Sequence, residues 1–226
     1  MDIRFLGHAA FELSDGSTSV LIDPFLTGNP KAAVAADDLS PQAILLTHGH
    51  ADHIGDTVAI AKRAGADVVA IVEIAGELSR DGVERVHDPN LGGTVTFAWG
   101  SVKLVPAWHT STTPAGTANT PAGLIVRFGD TTVYHLGDTA LFSDLQLIGE
   151  VEAPIDVALM CIGGHYTMDR HDAARAARLI GAKQVIPCHY DTFPPIVTDA
   201  QAFRSEVESA GAGEVVVLAP GETHSR

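Results

Sequence analysis

The chain contains 226 residues, of which 46% are hydrophobic and 19% are charged, a composition that is typical of packed globular proteins and excludes a disordered chain. The length is that of one sizeable domain, so we expect a single domain spanning residues 1–226. Lysine and arginine together number 14 against 28 aspartates and glutamates, and the formal charge of −14 argues against a nucleic-acid partner, because no excess of positive charge is present to neutralise phosphates.

Short apolar runs bounded by turn residues predict β-strands in the first two thirds of the chain. In chain order, the predicted strands are Asp2–Leu6, Ala9–Leu13, Ser19–Ile22, Ala43–Leu46, Asp67–Ile71, Thr94–Ala98, Val102–Val105, Gly123–Phe128 and Thr132–Leu136. A helix is predicted over Ile54–Ala64, where Ile54, Val58 and Ala61 share one face and Gly65 follows the last turn.

Helices and strands alternate in the last third of the chain. The predicted helices are Leu141–Ile148, Asp169–Ile180 and Asp199–Ala210, and the predicted strands are Val157–Cys161, Gln184–Pro187 and Val215–Leu218. In each half of the chain, consecutive strands therefore come first, and alternating helices and strands follow. This order favours an α+β fold in which two mixed β-sheets pack face to face and helices cover both outer faces.

The sequence also carries signals about the compartment. The N-terminal residues MDIRFLGHAAFEL lack the basic and long apolar regions of a secretory signal, and the longest apolar runs are too short to cross a membrane. Two cysteines, Cys161 and Cys188, cannot form a disulfide framework. We therefore expect a cytoplasmic protein without a membrane partner, and a homo-oligomer remains an option.

The strongest chemical signal is the segment THGHADH, residues 47–53, which lies between a predicted strand and a predicted helix. It places His48, His50, Asp52 and His53 within six residues, and a turn that contains glycine lets such side chains converge on one point. Neutral imidazoles and a carboxylate are ligands that Zn²⁺, Fe and Mn²⁺ accept. The alternative is a solvated polar loop that happens to be rich in histidine, but the tight spacing at the end of a strand favours a metal site.

This H-x-H-x-D-H pattern resembles the signature of the metallo-β-lactamase superfamily. The wider chain is similar to the small bacterial and archaeal metal-dependent hydrolases related to the ascorbate-6-phosphate lactonases. The segments that carry the resemblance are FLGHAAF (5–11), IDPFLTGNP (22–30), LLTHGHADHIGDT (45–57), YHLGDTALFSD (134–144), IGGHYTM (162–168) and IPCHYDTFPPI (186–196). The resemblance implies an αββα sandwich with the metal site at one edge.

The resemblance further implies two divalent metal ions per chain, with zinc as the first candidate and manganese or iron as alternatives. The candidates later in the chain are His109, Asp138 and His189. Each of them follows a predicted strand, and the implied fold brings the ends of these strands to the same edge. The implied ligands are His48, His50 and His109 for one ion and Asp52, His53 and His189 for the other, with Asp138 bridging the two ions.

Several other residues are candidates for supporting roles, each with an alternative reading. His8 resembles a family position that faces the active site, where it could donate a proton to the leaving group, or it is a hydrogen-bonded histidine at a sheet edge. Asp23 resembles a carboxylate that lies beneath the metal loop, or it forms a turn before Pro24. His135 is either buried with one hydrogen bond or functional. The candidates for the substrate pocket are His165, Tyr166 and Tyr190.

The predicted function is that of a metal-dependent hydrolase, in which two metal ions activate a hydroxide. The expected partner is a small-molecule substrate, namely a phosphodiester, a phosphoester or a lactone. Asp52 is expected to be a ligand and to orient the hydroxide, and His8 is the second catalytic candidate. The alternative is a catalytically silent metal-binding regulatory or scaffold protein of the same fold; the intact Asp52 and Asp138 favour the enzyme.

Overall fold

Two seven-stranded sheets form the centre of the computed structural model, which describes residues 1–226. The strands of the first sheet are β1 (Asp2–Gly7), β2 (Ala10–Ser14), β3 (Ser19–Ile22), β4 (Ala43–Leu45), β5 (Asp67–Val69), β6 (Val86–His87) and β14 (Thr223–Ser225). The strands of the second sheet are β7 (Thr94–Phe97), β8 (Gly100–Pro106), β9 (Ala122–Phe128), β10 (Thr131–His135), β11 (Val157–Cys161), β12 (Gln184–Cys188) and β13 (Glu214–Val215). The helices are α1 (Ala51–Ile54), α2 (Thr57–Ala64), α3 (Val72–Arg80), α4 (Leu145–Val151), α5 (Arg170–Ile180) and α6 (Ala200–Ser209).

Both sheets are mixed, and their strand directions decide where the site forms. The strand orders are β14-β1-β2-β3-β4-β5-β6 and β13-β12-β11-β10-β9-β8-β7. In the first sheet β1, β3 and β4 run in the same direction. In the second sheet β8, β10 and β12 also share one direction. The loops that follow these strands therefore leave each sheet at a single edge.

The sheets face each other across a core of 39 buried residues. This core joins Leu13 and Val20 of the first sheet with Val102 and Leu124 of the second, all four without exposed surface. Burial of each such side chain contributes about 1.5–3 kcal/mol. Helices α2 and α3 pack on the first sheet, and a second cluster of 23 residues lies between the second sheet and α4–α6. The predicted α+β sandwich with helices on both outer faces is confirmed.

The two longest helices begin and end where the sequence predicts. The carboxylate of Asp169 accepts hydrogen bonds from the backbone N–H groups of His171 and Asp172 at the start of α5. This helix ends at Gly181, which has a left-handed φ of 67°. Asp199 caps α6 in the same way. None of the six helices combines the length and the apolar character that crossing a bilayer requires.

The single helix predicted over Ile54–Ala64 is wrong, because the structure divides it into α1 and α2. The break lies at Gly55, where an added Cβ would come within 2.4 Å of the Pro24 carbonyl oxygen. The Asp56 carboxylate next to it accepts hydrogen bonds from the backbone N–H groups of Leu26 and Thr27. These contacts with the segment after β3 fix the position of α1, and α1 carries two of the predicted metal ligands.

Other elements differ from the prediction in extent. The helix predicted from Leu141 begins only at Leu145, and α3, β6 and β14 were not predicted. Helix α3 contains Gly76 and β-branched residues, which have low helix propensity, and forms because its apolar face is buried. The strand predicted over Val215–Leu218 retains Val215 alone. The chain then leaves the second sheet and crosses to the first, where β14 pairs with β1.

Candidate metal centre

Six loops from the two sheets meet at one edge of the sandwich. The loops after β1, β3 and β4 carry His8, Asp23 and the segment 47–53, and those after β8, β10 and β12 carry His109, Asp138 and His189. The donor atoms of the predicted ligands form three overlapping groups, and within each group they lie within 4.8 Å of one another. The structure therefore brings together all seven residues that the sequence predicted.

The first group consists of His48, His50 and His109. His48 Nε2 lies 3.0 Å from His50 Nδ1, and the His109 ring packs edge-on against both other rings. Two nitrogen ligands of one tetrahedral Zn²⁺ lie about 3.4 Å apart at the usual bond lengths, so this spacing suits a shared ion. Burial lowers the pKa of all three histidines, which keeps them neutral with lone pairs available.

The second group contains Asp52, His53 and His189, and also His8. Asp138 lies between the two groups: its Oδ2 is 3.0 Å from His189 Nε2 and 3.6 Å from His109 Nε2, and its Oδ1 is 3.3 Å from His53 Nε2. A carboxylate in this position touches ligands from both groups. The arrangement is therefore that of a bridging group between two cations.

Several donor atoms of this cluster are buried without a well-aligned hydrogen bond. His53 Nε2, Asp138 Oδ1 and both ring nitrogens of His189 are buried and make no hydrogen bond. An unsatisfied buried polar atom costs about 1–3 kcal/mol, and two of these atoms, His53 Nε2 and His189 Nε2, lie 3.3 Å and 3.0 Å from the two oxygens of Asp138. Imidazole nitrogens and carboxylate oxygens are ligands of borderline divalent cations. The residues therefore fit a metal centre.

The electrostatics of the cluster also favour positive charge. Burial alone would raise the pKa of Asp138, but His189 and His53 outweigh it and hold that pKa well below its usual range. For His53, burial acts to lower the pKa, yet the neighbouring Asp138 and Asp23 raise it well above the ordinary value. The site thus keeps its carboxylates ionised and attracts a proton where a cation would sit.

Asp23 lies beneath the metal loop, as one of its two sequence interpretations proposed. It is fully buried and accepts hydrogen bonds from the Thr47 backbone N–H at 2.8 Å, the Thr47 hydroxyl at 2.6 Å and His53 Nδ1 at 2.8 Å. Because His53 donates its Nδ1–H to Asp23, the neutral form of His53 carries its lone pair on Nε2, the atom that faces Asp138 and from which a cation would displace the proton. The Thr47 oxygen lies 3.0 Å from His48 Nδ1 and accepts a hydrogen bond from it, which places the lone pair of His48 on Nε2, the atom next to His50.

His8 faces the cluster, but both of its ring nitrogens make hydrogen bonds. Its side chain is buried, with Nδ1 2.8 Å from the Thr192 hydroxyl and Nε2 3.1 Å from Asp52 Oδ2. Burial lowers the pKa of His8 to about 4, so the ring is neutral. Asp52 can only accept, so His8 Nε2–H donates to it and the Thr192 hydroxyl donates to Nδ1. Burial acts to raise the pKa of Asp52, but this hydrogen bond and the nearby His53 together outweigh burial and lower that pKa.

The loop at residues 110–121 is anchored to the metal loop. The Ser111 hydroxyl accepts a hydrogen bond from the Gly49 backbone N–H at 2.9 Å, and the Thr113 hydroxyl donates to the buried Glu77 of α3 at 2.7 Å. An added Cβ at Gly49 would come within 2.7 Å of Asn119 and Thr113. The sequence gives no sign of these contacts or of the contact between Thr192 and His8. They join residues that are distant along the chain, and no local pattern marks such pairs.

The structure also shows the surroundings of five other residues that were named from the sequence. His135 is buried and makes two hydrogen bonds, accepting from the Gly137 N–H and donating to the Ala9 carbonyl, so it supports the fold. Cys161 and Cys188 are free and buried, and burial raises the pKa of both thiols. The ring of His165 stacks edge-on against Tyr166. Tyr190 lines a separate cavity on the other side of His8.

A cavity of about 390 Å³ opens over the cluster. Five of its lining residues belong to the predicted ligand set and three do not. The lining residues are His50, Asp52, His109, Thr110, Asp138, Tyr166, His189 and Phe193. The donor atoms are therefore accessible to a small molecule from one side.

Comparison with known proteins identifies the family. Residues 18–190 match the family model of the β-lactamase superfamily domain, and the chain is 48% identical to a UPF0173 metal-dependent hydrolase from Methanopyrus kandleri over 100% of both chains. The chain belongs to the UPF0173 family of metal-dependent hydrolases. A UPF0173 hydrolase from Thermus thermophilus is also 48% identical, over 98% of this chain and 97% of its own.

Solved structures agree with this UPF0173 assignment. Igni18, a metallo hydrolase from Ignicoccus hospitalis, matches with a TM-score of 0.90 and 38% identity over 99% of this chain and 97% of its own. The metallo-β-lactamase fold protein YhfI from Bacillus subtilis matches with a TM-score of 0.75 and 18% identity over 99% and 98%, which shows the fold alone. The predicted family, fold and class of enzyme, a metal-dependent hydrolase, are confirmed.

Proposed function

We propose that this UPF0173 enzyme is a two-metal hydrolase that acts on a small phosphodiester, phosphoester or lactone. The observation that carries the proposal is the convergence of seven histidine and aspartate residues, in which four side-chain atoms are buried without a hydrogen bond. Zinc is the first candidate for both ions, with manganese or iron as alternatives, because imidazole and carboxylate ligands accept all three.

The proposed ligands divide into two sets that share one carboxylate. His48, His50 and His109 would hold one ion, Asp52, His53 and His189 the other, and Asp138 would bridge them. When bound, two divalent cations lower the pKa of a water molecule so that a nucleophile exists at neutral pH, and they neutralise the charge that develops during hydrolysis. Asp23 and Thr47 hold His53 and His48 in the tautomers that such binding needs.

Asp52 and His8 form the remaining part of the proposal. Asp52 lines the cavity and stays ionised, so it can both bind a cation and orient a water molecule by accepting its hydrogen bond. We assign His8 a positioning role, because its Nε2–H is held by Asp52 and its Nδ1 by Thr192. Proton donation from His8 to a leaving group stays a prediction, and it requires the bond to Asp52 to open.

Two measurements test the proposal. Elemental analysis of protein purified without chelator is expected to give two divalent ions per chain, and fewer than one per chain contradicts the two-metal centre. Metal-loaded protein is then assayed against a panel of phosphodiesters, phosphoesters and lactones beside Asp52→Asn and the control Asp88→Asn, an exposed aspartate outside the site. Turnover is expected in the wild type and the control only; equal background rates in all three proteins refute the assignment for that panel.

A further inference from the structure

The wall of the metal cavity has an unusual charge distribution for an enzyme that would handle phosphorylated metabolites. The chain has 14 lysines and arginines, and none of them lines this cavity. The acidic side chains in the lining are Asp52 and Asp138, and both belong to the proposed ligand set. Apart from the proposed cations, the lining therefore offers no positive side chain that could bind a second anionic group of a substrate.

The part of the wall that is not made of metal donors is largely aromatic. Tyr166 and Phe193 line the cavity together with Thr110, and the Tyr166 side chain is 54% exposed. The Tyr166 ring is held edge-on against His165, with ring centroids 4.4 Å apart, and His165 has a left-handed φ of 58°. The Phe193 ring packs against the His8 ring at 5.5 Å. Both aromatic side chains thus contact neighbouring rings beside the donor atoms.

Exposed apolar side chains are also concentrated in the loops that carry the site. The structure exposes six large hydrophobic residues, and three of them lie in the segments after β8, β11 and β12. Trp108 precedes the ligand His109 and is 67% exposed, Tyr166 lines the cavity, and Val197 follows the loop that contains Phe193. Aromatic surface exposed beside a polar cavity is typical of a surface that binds ligands.

We propose that the substrate carries a single group that binds the metals, the group that is cleaved, and that the rest of the molecule is uncharged and apolar and packs against Tyr166 and Phe193. This inference rests on the proposed two-metal function and narrows it. It favours neutral esters and lactones, or a diester with an apolar substituent. It argues against substrates that bear a second phosphate or carboxylate away from the reacting centre.

Hydroxamic acids test this inference because they bind metal ions through one small head group while the tail is varied. The probes are acetohydroxamic acid, benzohydroxamic acid and 4-carboxybenzohydroxamic acid, which differ in a ring and then in one carboxylate. Their dissociation constants are measured by calorimetry on zinc-loaded protein. We expect the benzo compound to bind about three- to tenfold more tightly than the aceto compound, the gain of one aromatic contact, and the carboxylated ring to lose that gain.

Two variants test whether Tyr166 causes the gain in affinity that the aromatic ring provides. In Tyr166→Ala the affinity ratio of the benzo and aceto compounds is expected to fall toward one. In the control Leu147→Ala, which removes an equally exposed apolar side chain from α4, the ratio is expected to stay at the wild-type value. A ratio that is unchanged in Tyr166→Ala refutes the role of this wall.

The outcomes separate the inference from the function on which it rests. If the protein retains neither zinc nor manganese nor iron, or if the metal-loaded protein binds none of the three compounds, the two-metal function fails and the inference fails with it. If acetohydroxamic acid binds but the carboxylated ring binds as tightly as the neutral ring, or more tightly, the metal centre stands and the proposed substrate class is wrong.

Discussion

Asp23→Asn is the substitution that most directly tests how the fold prepares the metal centre. The buried carboxylate accepts three hydrogen bonds, and its Oδ2 serves both the Thr47 hydroxyl and His53 Nδ1. An asparagine has almost the same shape but replaces one acceptor oxygen by an NH₂ group. The Thr47 backbone N–H keeps an acceptor and the Thr47 hydroxyl can rotate, whereas the Nδ1–H of His53 then faces a donor.

The structure sets the size of the expected effect. One buried donor left unpaired costs about 1–3 kcal/mol of stability in the metal-free protein. If His53 moves its proton to Nε2 instead, it loses the lone pair that faces Asp138. Loss of such a supporting contact lowers metal affinity about 10- to 100-fold, equivalent to about 1.4–2.7 kcal/mol.

Two assays measure these effects separately. Urea unfolding of the metal-free protein gives the free energy of unfolding, and titration against a competing chelator gives the affinity for each ion. The control is Asp15→Asn, because Asp15 also accepts three hydrogen bonds, from Ser17 and Thr18, but lies in an exposed turn. Asp15→Asn is expected to leave metal affinity unchanged. Wild-type affinity for both ions in Asp23→Asn would refute the claim that Asp23 sets the tautomer of His53.

Three further predictions concern the bridge, the pH dependence and a helix cap. Asp138→Ala is expected to reduce the metal content from two ions to one or fewer per chain, measured by elemental analysis. The metal-free protein is expected to lose stability as pH falls from about 6.5 to about 4, measured by urea unfolding, because burial lowers the pKa of His8 to about 4 while the unfolded chain takes up its proton near pH 6.5. Asp169→Ala is expected to lower the free energy of unfolding by about 1 kcal/mol through loss of the α5 cap, with unchanged metal affinity.

Each of these has a clear contrary result. Two tightly bound ions in Asp138→Ala would show that the two sets of donors act independently. Stability that stays constant between pH 6.5 and pH 4 would mean that His8 is not held neutral by the fold. A change in metal affinity in Asp169→Ala would couple this helix start to the centre, against the local role assigned to it.

Much of the fold could be predicted because local chemistry determines it. The strands follow from short apolar runs, and α5 and α6 follow from an aspartate cap at the start of each. The metal loop could be predicted because its donors are adjacent in the sequence, and His109, Asp138 and His189 could be placed because each follows a strand. For the latter three the resemblance to a known superfamily supplied the assignment.

What could not be predicted depends on contacts between distant residues. The break between α1 and α2 exists because Asp56 binds the backbone near Leu26, and β14 forms because it pairs with β1 at the opposite end of the chain. The orientation of His8 depends on Thr192, which lies 184 residues away. No pattern of hydropathy or spacing reports such partners, because each residue is unremarkable in its own segment.

The division of the donor residues between the sheets links metal binding to the assembly of the sandwich. The donors up to His53 follow strands of one sheet, and His109, Asp138 and His189 follow strands of the other, so neither layer holds a complete set. Ions shared in this way would hold the two sheets together. A bound ion would add about 2.7 kcal/mol to the free energy of unfolding when the free ion concentration is one hundred times its dissociation constant. A substitution that loosens the contact of Leu13 or Leu124 across the layers would then weaken ion binding although it touches no donor.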